Sequence, residues 1–411
     1  MKILFLTPYF YPEKGAPQTR LLDYSLKLTS LGHKVAVLTT MPNYPKGRVF
    51  DQYRGKFLLR EDYKGIQIIR IRSYTSQKKG FLSRILNHLS FALLSIIPGV
   101  FIKDLDLIFV ESPPLFDGIT GIILSFLKRI PFVFNVADIW PQAAIELNML
   151  NNRLLIKLSE KLEKYIYKRA EKVLIVTRGW YEFLKKRGVK EEKLVFIPNG
   201  ADTSIFKPSG NRTELRKQYH FNDNFVIFFG GNHGLAQGLD NLIKAASYLK
   251  DYPDIVFVLM GDGPLKNDLI NLKNDLSLNN VHFFDPVPLE EIPAYLEAAD
   301  IVAVTLKNIP LMSGWVPVKL YEAMAMEKPV ITNITGDTEN IINESGAGFS
   351  VKPDSPESIA EAVKNFYRNK NSLTGIGKKG REYIIDNYNR DKIVVRLLDL
   401  FNSLAGKKEL L

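Results

Sequence analysis

Lys319 and Glu322 stand three residues apart in the stretch Pro317-Val-Lys-Leu-Tyr-Glu-Ala-Met-Ala-Met-Glu-Lys-Pro329. The proline suits the first turn of a helix, and a three-residue spacing puts both side chains on one helical face. A carboxylate so placed can accept both hydroxyls of a ribose, and the ammonium can reach a diphosphate. The same pair could also be a surface ion pair worth only about 0.3–0.5 kcal/mol. Two short loops add to the first possibility: Gly230-Gly231-Asn232 and Gly261-Asp262-Gly263 each follow an apolar run. Glycine lets a phosphate approach backbone N–H groups closely. Other chemistries find little support. The chain has no Cys, so a thiolate zinc site and a cysteine nucleophile are excluded. No GxGxxG follows the first apolar run, and Walker A, HExxH and GxSxG sequences are absent.

These residues need a scaffold, and the chain supplies two. At 411 residues, 46% hydrophobic, it is too long for one ordinary core, so two domains are expected. Ile3–Leu6 reads as a buried strand rather than the apolar core of a secretory leader, because Pro8 and Pro12 cut it short. A helical stretch with Leu21, Leu22, Leu26 and Leu28 follows, stopped by Gly32, and Lys34–Thr39 is the next strand. Strand, helix and strand in about 40 residues make a βαβ unit and imply a parallel sheet. Further strands are predicted at Ile66–Ile71, Leu107–Val110, Phe132–Val136, Val173–Thr177 and Leu194–Ile197. After the turn Pro198-Asn199-Gly200 a second series begins: Phe225–Phe229, Ile255–Met260, Val281–Phe284, Ile301–Val304, Pro329–Ile331 and Gly348–Val351. The expected fold is α/β, two doubly wound Rossmann-like domains over residues 1–200 and 201–389. A C-terminal helix in 390–411 is free to pack on either. In such sheets ligands bind at the carboxyl ends of the strands, where both glycine loops fall.

Charge is unevenly shared. The first 200 residues hold 32 basic and 17 acidic side chains, and the remaining 211 hold 23 and 27. A basic domain of this kind suits an anionic partner, either nucleic acid or a membrane leaflet. Nucleic acid lacks any recognition motif here. The apolar segment Phe81–Ile102 is long enough to span a bilayer, but Arg84, Asn87, His88, Pro98 and Gly99 spoil it for that use. It reads as a buried helix or as one lying in a membrane interface, with Lys78, Lys79 and Arg84 just ahead of it or within it.

The stretch P-x-K-x-Y-E-x-M-A-x-x-K-P-V-I resembles the nucleotide-sugar-binding segment of retaining family 4 glycosyltransferases, which have the GT-B fold of two Rossmann-like domains facing a cleft. Leu31-Gly32-His33-Lys34-Val35, Ile197-Pro198-Asn199-Gly200-Ala201-Asp202 with Phe206, Gln237-Gly238-Leu239-Asp240 and Met260-Gly261-Asp262-Gly263-Pro264 resemble further segments in the same order. Asp138-Ile139-Trp140-Pro141 is similar to a segment of the subgroup that builds O-antigen, capsule and other surface polysaccharides, including fucosamine and fucose transferases. The resemblance implies that Gly15, Gly231, Gly263, Lys319 and Glu322 bind the donor. It also implies that the first domain binds the acceptor, with Asp138 orienting or deprotonating its hydroxyl. Asp138 could equally cap the following helix. Arg20 reads as a solvated helix residue.

Two departures matter. The family often has a second Glu eight residues before the one matching Glu322, and Gly314 occupies that position. It often carries Arg and Lys before Gly238, where this chain has Asn232 and Gln237; Lys319 is expected to supply the missing charge. The reaction implied is sugar transfer with retention (an EC 2.4 hexosyltransferase) from a nucleoside diphosphate donor. UDP, with N-acetyl-L-fucosamine, is the first expectation, and GDP-fucose the second. A lipid-linked saccharide in O-antigen or capsule synthesis would be the acceptor. No metal or other cofactor is expected. The enzyme would be cytoplasmic and peripheral on the anionic inner membrane surface. A UDP-sugar epimerase and a non-catalytic GT-B partner protein are the alternatives.

Overall fold

The computed structural model describes residues 1–44, 46–77 and 81–405. It falls into two compact units: Met1–Pro198 together with the chain from Asp391 onward, and Asn199–Arg390.

The first unit is built on an eight-stranded sheet. Its strands are β1 (Lys2–Leu6), β2 (Lys34–Thr40), β3 (Leu58–Tyr63), β4 (Ile66–Ile71), β5 (Leu107–Ser112), β6 (Phe132–Val136), β7 (Lys172–Ile175) and β8 (Leu194–Phe196). Their order is β3-β4-β2-β1-β5-β6-β7-β8. Every pairing is parallel except β3 with β4. β5 and β6 are buried along their whole length, which fits apolar runs covered on both faces. β3 escapes sequence analysis. Its residues, Leu-Leu-Arg-Glu-Asp-Tyr, alternate between exposed and half-buried, and its charges guard a sheet edge. Only the tight turn at Lys64-Gly65, both with positive φ, announces the hairpin.

The second unit carries β9 (Phe225–Gly230), β10 (Ile255–Met260), β11 (Val281–Phe284), β12 (Ile301–Val304), β13 (Val330–Thr332) and β14 (Gly348–Ser350). All are parallel, in the order β11-β10-β9-β12-β13-β14. The order reverses at β9/β12, and in the first sheet at β1/β5, so each sheet has a switch point where a crevice opens at the strand ends.

The chain passes from first unit to second at Pro198-Asn199 and back at Arg390-Asp391. The buried Arg390 guanidinium donates to the Asn199 and Gly200 carbonyls, and the Arg390 N–H donates to Ala201 O at 3.0 Å. The Asp202 carboxylate accepts from the N–H and hydroxyl of Ser204, which shapes the turn and buries Phe206. The helix Arg390–Ala405 then lays Ile393, Val394, Leu397 and Phe401 on the first sheet's core beside Ile3, Phe5 and Phe109. Phe401 sits 6.1 Å from the Phe109 ring, edge on.

The segment Phe81–Ile102 forms two helices, Phe81–Leu94 and Ile96–Phe101. Among the described residues no helix is long and apolar enough to cross a membrane. Lys78 and Lys79 lie outside the described residues, as does the Arg84 side chain. Because Phe401 is wholly buried, Phe401→Ala is expected to destabilise the first unit by about 3–5 kcal/mol. Urea denaturation followed by tryptophan fluorescence measures this, and an unchanged midpoint would show that the helix does not seal this core.

Candidate active site

The helix Val318–Ala325 follows Pro317, which occupies its N-cap position in an extended conformation. No side chain caps the first turn, so its backbone N–H groups are available to an anion. Lys319 reaches back from this turn across the end of β9. Its Nζ donates to Gln237 Oε1 at 3.2 Å and lies 4.0 Å above the centre of the Phe229 ring. Glu322 lies one turn further on, partly buried; its carbonyl accepts the Met326 N–H at 3.1 Å, while its carboxylate has no hydrogen bond or ion pair among the described residues. Burial raises its carboxyl above the usual range, against the pull of the Arg390 and Lys319 charges. Burial also lowers the Lys319 ammonium to about 8, against the pull of Glu322.

The two glycine loops meet here. Gly231 has φ 143°, and a Cβ on it would stand 2.9 Å from Lys319 Nζ. Gly261 has φ 146°, and a Cβ on it would stand 1.8 Å from Gly231 O, so only glycine permits this backbone approach. A Cβ on Gly263 would strike His233 O and Asn232 Oδ1, both at 2.5 Å. His233, which sequence analysis passed over, fills the space under the loops with 0% exposure between Phe229 and Phe283. Burial first, and then the Lys266 charge, lower its ring to about 4, so it is neutral at physiological pH. Its main chain ties the loops together: its N–H donates to Asp262 O and its carbonyl accepts from Leu265 N. A lone His between Asn and Gly carries no sequence signal for such a role. Gly231, Gly263, Lys319 and Glu322 are thus brought together in the second unit. Gly314 ends the short turn Pro310–Gly314 and is buried.

Gly15 and Asp138 stand in the first unit, in the segments that follow β1 and β6. Gly15 opens the helix Ala16–Ser30 in an extended conformation. The loop ahead of it is pinned by Glu13, whose buried carboxylate accepts the N–H groups of Asn43 (2.6 Å), Tyr44 (2.8 Å) and Phe10 (3.2 Å). Even so, desolvation lifts the Glu13 carboxyl to about 7. Arg70, fully buried, donates to Tyr11 O and to Glu61 Oε1. The expectation for Arg20 is corrected. Arg20 is buried and paired with buried Glu111, whose other oxygen accepts from Asn135 Nδ2 at 2.9 Å. It lies on the helix face turned toward β5, a fact of tertiary packing that helical spacing alone does not give.

Asp138 is not a helix cap. The helix Gln142–Glu146 begins after Pro141 and has no side-chain cap. The Asp138 carboxyl interacts with the Ile139 N–H, while its Oδ1 is buried without a hydrogen-bond partner. Burial raises it to about 7, where a carboxyl can exchange a proton with a hydroxyl. Asp117, one strand away, is wholly buried with neither oxygen bonded, and its carboxyl is pushed well above the usual range by burial and by Glu111. Nothing in the local sequence marks it. Among the described residues, no three His, Asp or Glu side chains are grouped as a metal site requires.

Gly261→Ala is expected to destabilise the second unit by about 1–3 kcal/mol, since the loop must leave its present backbone conformation. A lower urea midpoint for this variant, beside an unchanged or higher one for Gly375→Ala, which stands in open space in the helix Leu373–Asn387, is the outcome that checks it.

Comparison with known proteins joins these observations. Residues 15–200 match the family described as glycosyl transferase 4-like domain, and residues 211–383 match glycosyl transferases group 1. The chain is 26% identical over 348 residues to WcaI of Escherichia coli K12, whose name assigns it to glycosyl transfer in colanic acid biosynthesis; the match covers 82% of this chain and 85% of that one. It is 27% identical over 238 residues to the Escherichia coli UDP-Gal:alpha-D-GlcNAc-diphosphoundecaprenol alpha-1,3-galactosyltransferase, covering 55% and 58% of the two chains. Among solved structures, Anabaena HepE in complex with UDP superposes with a TM-score of 0.73 at 19% identity, covering 98% of this chain and all of that one. WaaG, a glycosyltransferase involved in lipopolysaccharide biosynthesis, does so at 0.71 and 16%, covering 97% and 99%. A glycosyl transferase 4-like domain followed by a group 1 domain, each on its own mainly parallel sheet, makes this chain a glycosyltransferase of GT-B type.

Proposed function

We propose that the protein transfers a sugar, with retention, from a UDP-linked donor to a lipid-linked saccharide during surface polysaccharide assembly. The observation that carries this reading is the Lys319–Glu322 pair, set beside two glycine loops at the switch point of the second sheet. The Glu322 carboxylate, without a hydrogen-bond partner among the described residues, would accept the two ribose hydroxyls. Lys319, the first-turn N–H groups of its helix and the Gly231 loop would face the diphosphate. As the sugar–phosphate bond breaks, negative charge grows on the β-phosphate. A preformed ammonium and fixed N–H dipoles stabilise that charge without reorganising, which is how such sites lower a barrier.

Retention follows if the acceptor hydroxyl attacks from the face the diphosphate is leaving, with the diphosphate taking the proton. No enzyme nucleophile is then needed. Asp138, poised near neutrality, would orient the acceptor or, in place of the diphosphate, take its proton. The names of relatives support the substrate class: one is a UDP-galactose transferase acting on a diphosphoundecaprenol-linked sugar, and another is a colanic acid enzyme. Other relatives are named GDP-mannose-dependent mannosyltransferases, so GDP is the donor nucleotide to test beside UDP. N-acetyl-L-fucosamine is the first sugar to try. The acceptor places the working enzyme on the anionic cytoplasmic face of a membrane.

Calorimetric titration with UDP, and with GDP in parallel, tests the site. Saturable UDP binding weakened about 10- to 100-fold in Glu322→Ala is expected, the effect of losing hydrogen bonds to a charged group. Binding of neither nucleotide would overturn the donor site. The pH dependence gives a second test. Lys319 in the empty site is charged below about 8 and neutral above it. A diphosphate favours the charged form, so UDP affinity should fall as pH rises beyond about 8. Lys319→Gln should bind more weakly and lose that fall; an identical alkaline decline in the variant would assign it to another group.

A further inference from the structure

Four loops leave the carboxyl ends of four neighbouring strands in the first sheet, and each carries an aromatic ring. In the strand order β2-β1-β5-β6 the rings are Tyr44, Tyr9, Phe116 and Trp140. The strand register aligns them. Leu38, Leu6, Val110 and Phe134 stand level across the sheet; Tyr44, Phe116 and Trp140 each lie six residues beyond that level, and Tyr9 three. Neighbouring rings meet in pairs. The Tyr9 and Tyr44 centroids are 5.5 Å apart, and those of Phe116 and Trp140 are 5.9 Å apart. The core does not need these rings. Each loop already buries another apolar side chain, Phe10, Met41, Leu115 or Ile139, none more than 1% exposed. The four rings stay partly exposed, Tyr44 at 43%.

The loops beneath them are braced. Thr40 Oγ1 donates to Pro8 O at 2.7 Å, Asn43 Nδ2 donates to Met41 O at 3.0 Å, and the Ala137 N–H donates to Ser112 O at 2.8 Å. A proline in each loop (Pro8, Pro42, Pro113 or Pro141) limits the backbone further. Rings held in this way give up little freedom when a ligand binds. Polar groups lie beside them. The Tyr9 hydroxyl pairs with His88 Nε2 at 3.2 Å, and Asp138, with its buried and unpartnered Oδ1, stands two residues before Trp140. A pyranose has the matching chemistry: a face of C–H groups and a rim of hydroxyls. Flat rings cover such a face, while phenol, imidazole and carboxyl groups take the hydroxyls. Three inter-strand steps of about 4.8 Å make the row roughly 14 Å long, more than one sugar ring covers. A nucleobase would occupy one ring pair and leave the other bare.

We propose that Tyr44, Tyr9, Phe116 and Trp140 form a stacking track for an acceptor longer than one sugar, with its terminal unit on Phe116 and Trp140 beside Asp138 and the preceding unit on Tyr9 and Tyr44. The inference rests on the proposed saccharide acceptor and gives that reading a length preference. An array of bacterial surface glycans, from single sugars to pentasaccharides, probed with the full chain tests it. Binding to oligosaccharides that persists in high salt is expected, weakened about tenfold or more by Trp140→Ala and kept by Trp140→Phe. Tyr44→Ala should weaken binding of the longer glycans and spare single sugars. Tyr44 is exposed, so this variant keeps its fold, and an unchanged urea midpoint verifies each variant. UDP titration reads the second unit and should be the same in all three. Glycan binding that ignores the ring variants and vanishes in high salt would assign it to the basic surface of this unit and overturn the track. UDP affinity lost in Trp140→Ala would give the rings to the nucleotide and overturn it too. No glycan bound by a chain that binds UDP would overturn the track and leave the donor site standing. Ring-dependent glycan binding in a chain that binds neither UDP nor GDP would support the track and overturn the donor site instead.

Discussion

Two backbones meet where neither can carry a side chain. The Gly231 carbonyl lies so near Gly261 that a Cβ there would fall inside bonding range of it. That contact sets the depth of the crevice at the ends of β9 and β10. With the loops drawn down, the Lys319 ammonium comes to rest over the Phe229 ring. His233 fits beneath as a neutral wedge. A side chain at either glycine would lift one loop and fill the space into which the first turn of Val318–Ala325 opens. The chemistry of the second unit thus depends on a steric constraint more than on any strong attraction.

Burial tunes the charged groups in both units, always toward neutrality. Lys319 drops to about 8, while Asp138 and Glu13 rise to about 7. Each therefore works within reach of physiological pH, where a ligand of the right sign can tip its protonation. The cost is local instability. A carboxyl raised above its unfolded value contributes stability below that value and loses it as pH climbs through the folded one. For Glu13 the three backbone N–H groups oppose the desolvation and fix the loop that leads to Gly15.

Much of the architecture was legible because parallel strands buried on both faces are short apolar runs. β5, β6 and β10 could be read from composition alone. β3 could not, since an edge strand with Arg60, Glu61 and Asp62 resembles a loop. Within the candidate site, the Lys319–Glu322 spacing and both glycine loops stood out as local patterns. Arg20, Asp117 and His233 did not. Their environments are made by residues far away in the chain, Glu111 and Asn135 for Arg20, Phe283 and Gly261 for His233. The helix Asp117–Lys128 shows a related limit: rich in Ile and Leu, it reads as core, yet it buries Gly118 and Gly121 and leaves Phe126 and Leu127 exposed.

The helix Arg390–Ala405 closes a core whose first strand is Lys2–Leu6, so the first unit is discontinuous in the chain. During synthesis the ribosome delivers all of Asn199–Arg390 before the residues that seal the earlier unit. For that interval Ile3, Phe5 and Phe109 have the helix Ala16–Ser30 but not this one to cover them, while the second unit already has every strand it needs. The later half of the protein can therefore mature first, and the earlier half must wait with part of its interior uncovered. That is the period when a nascent chain is most open to chaperones and to misassembly with its neighbours.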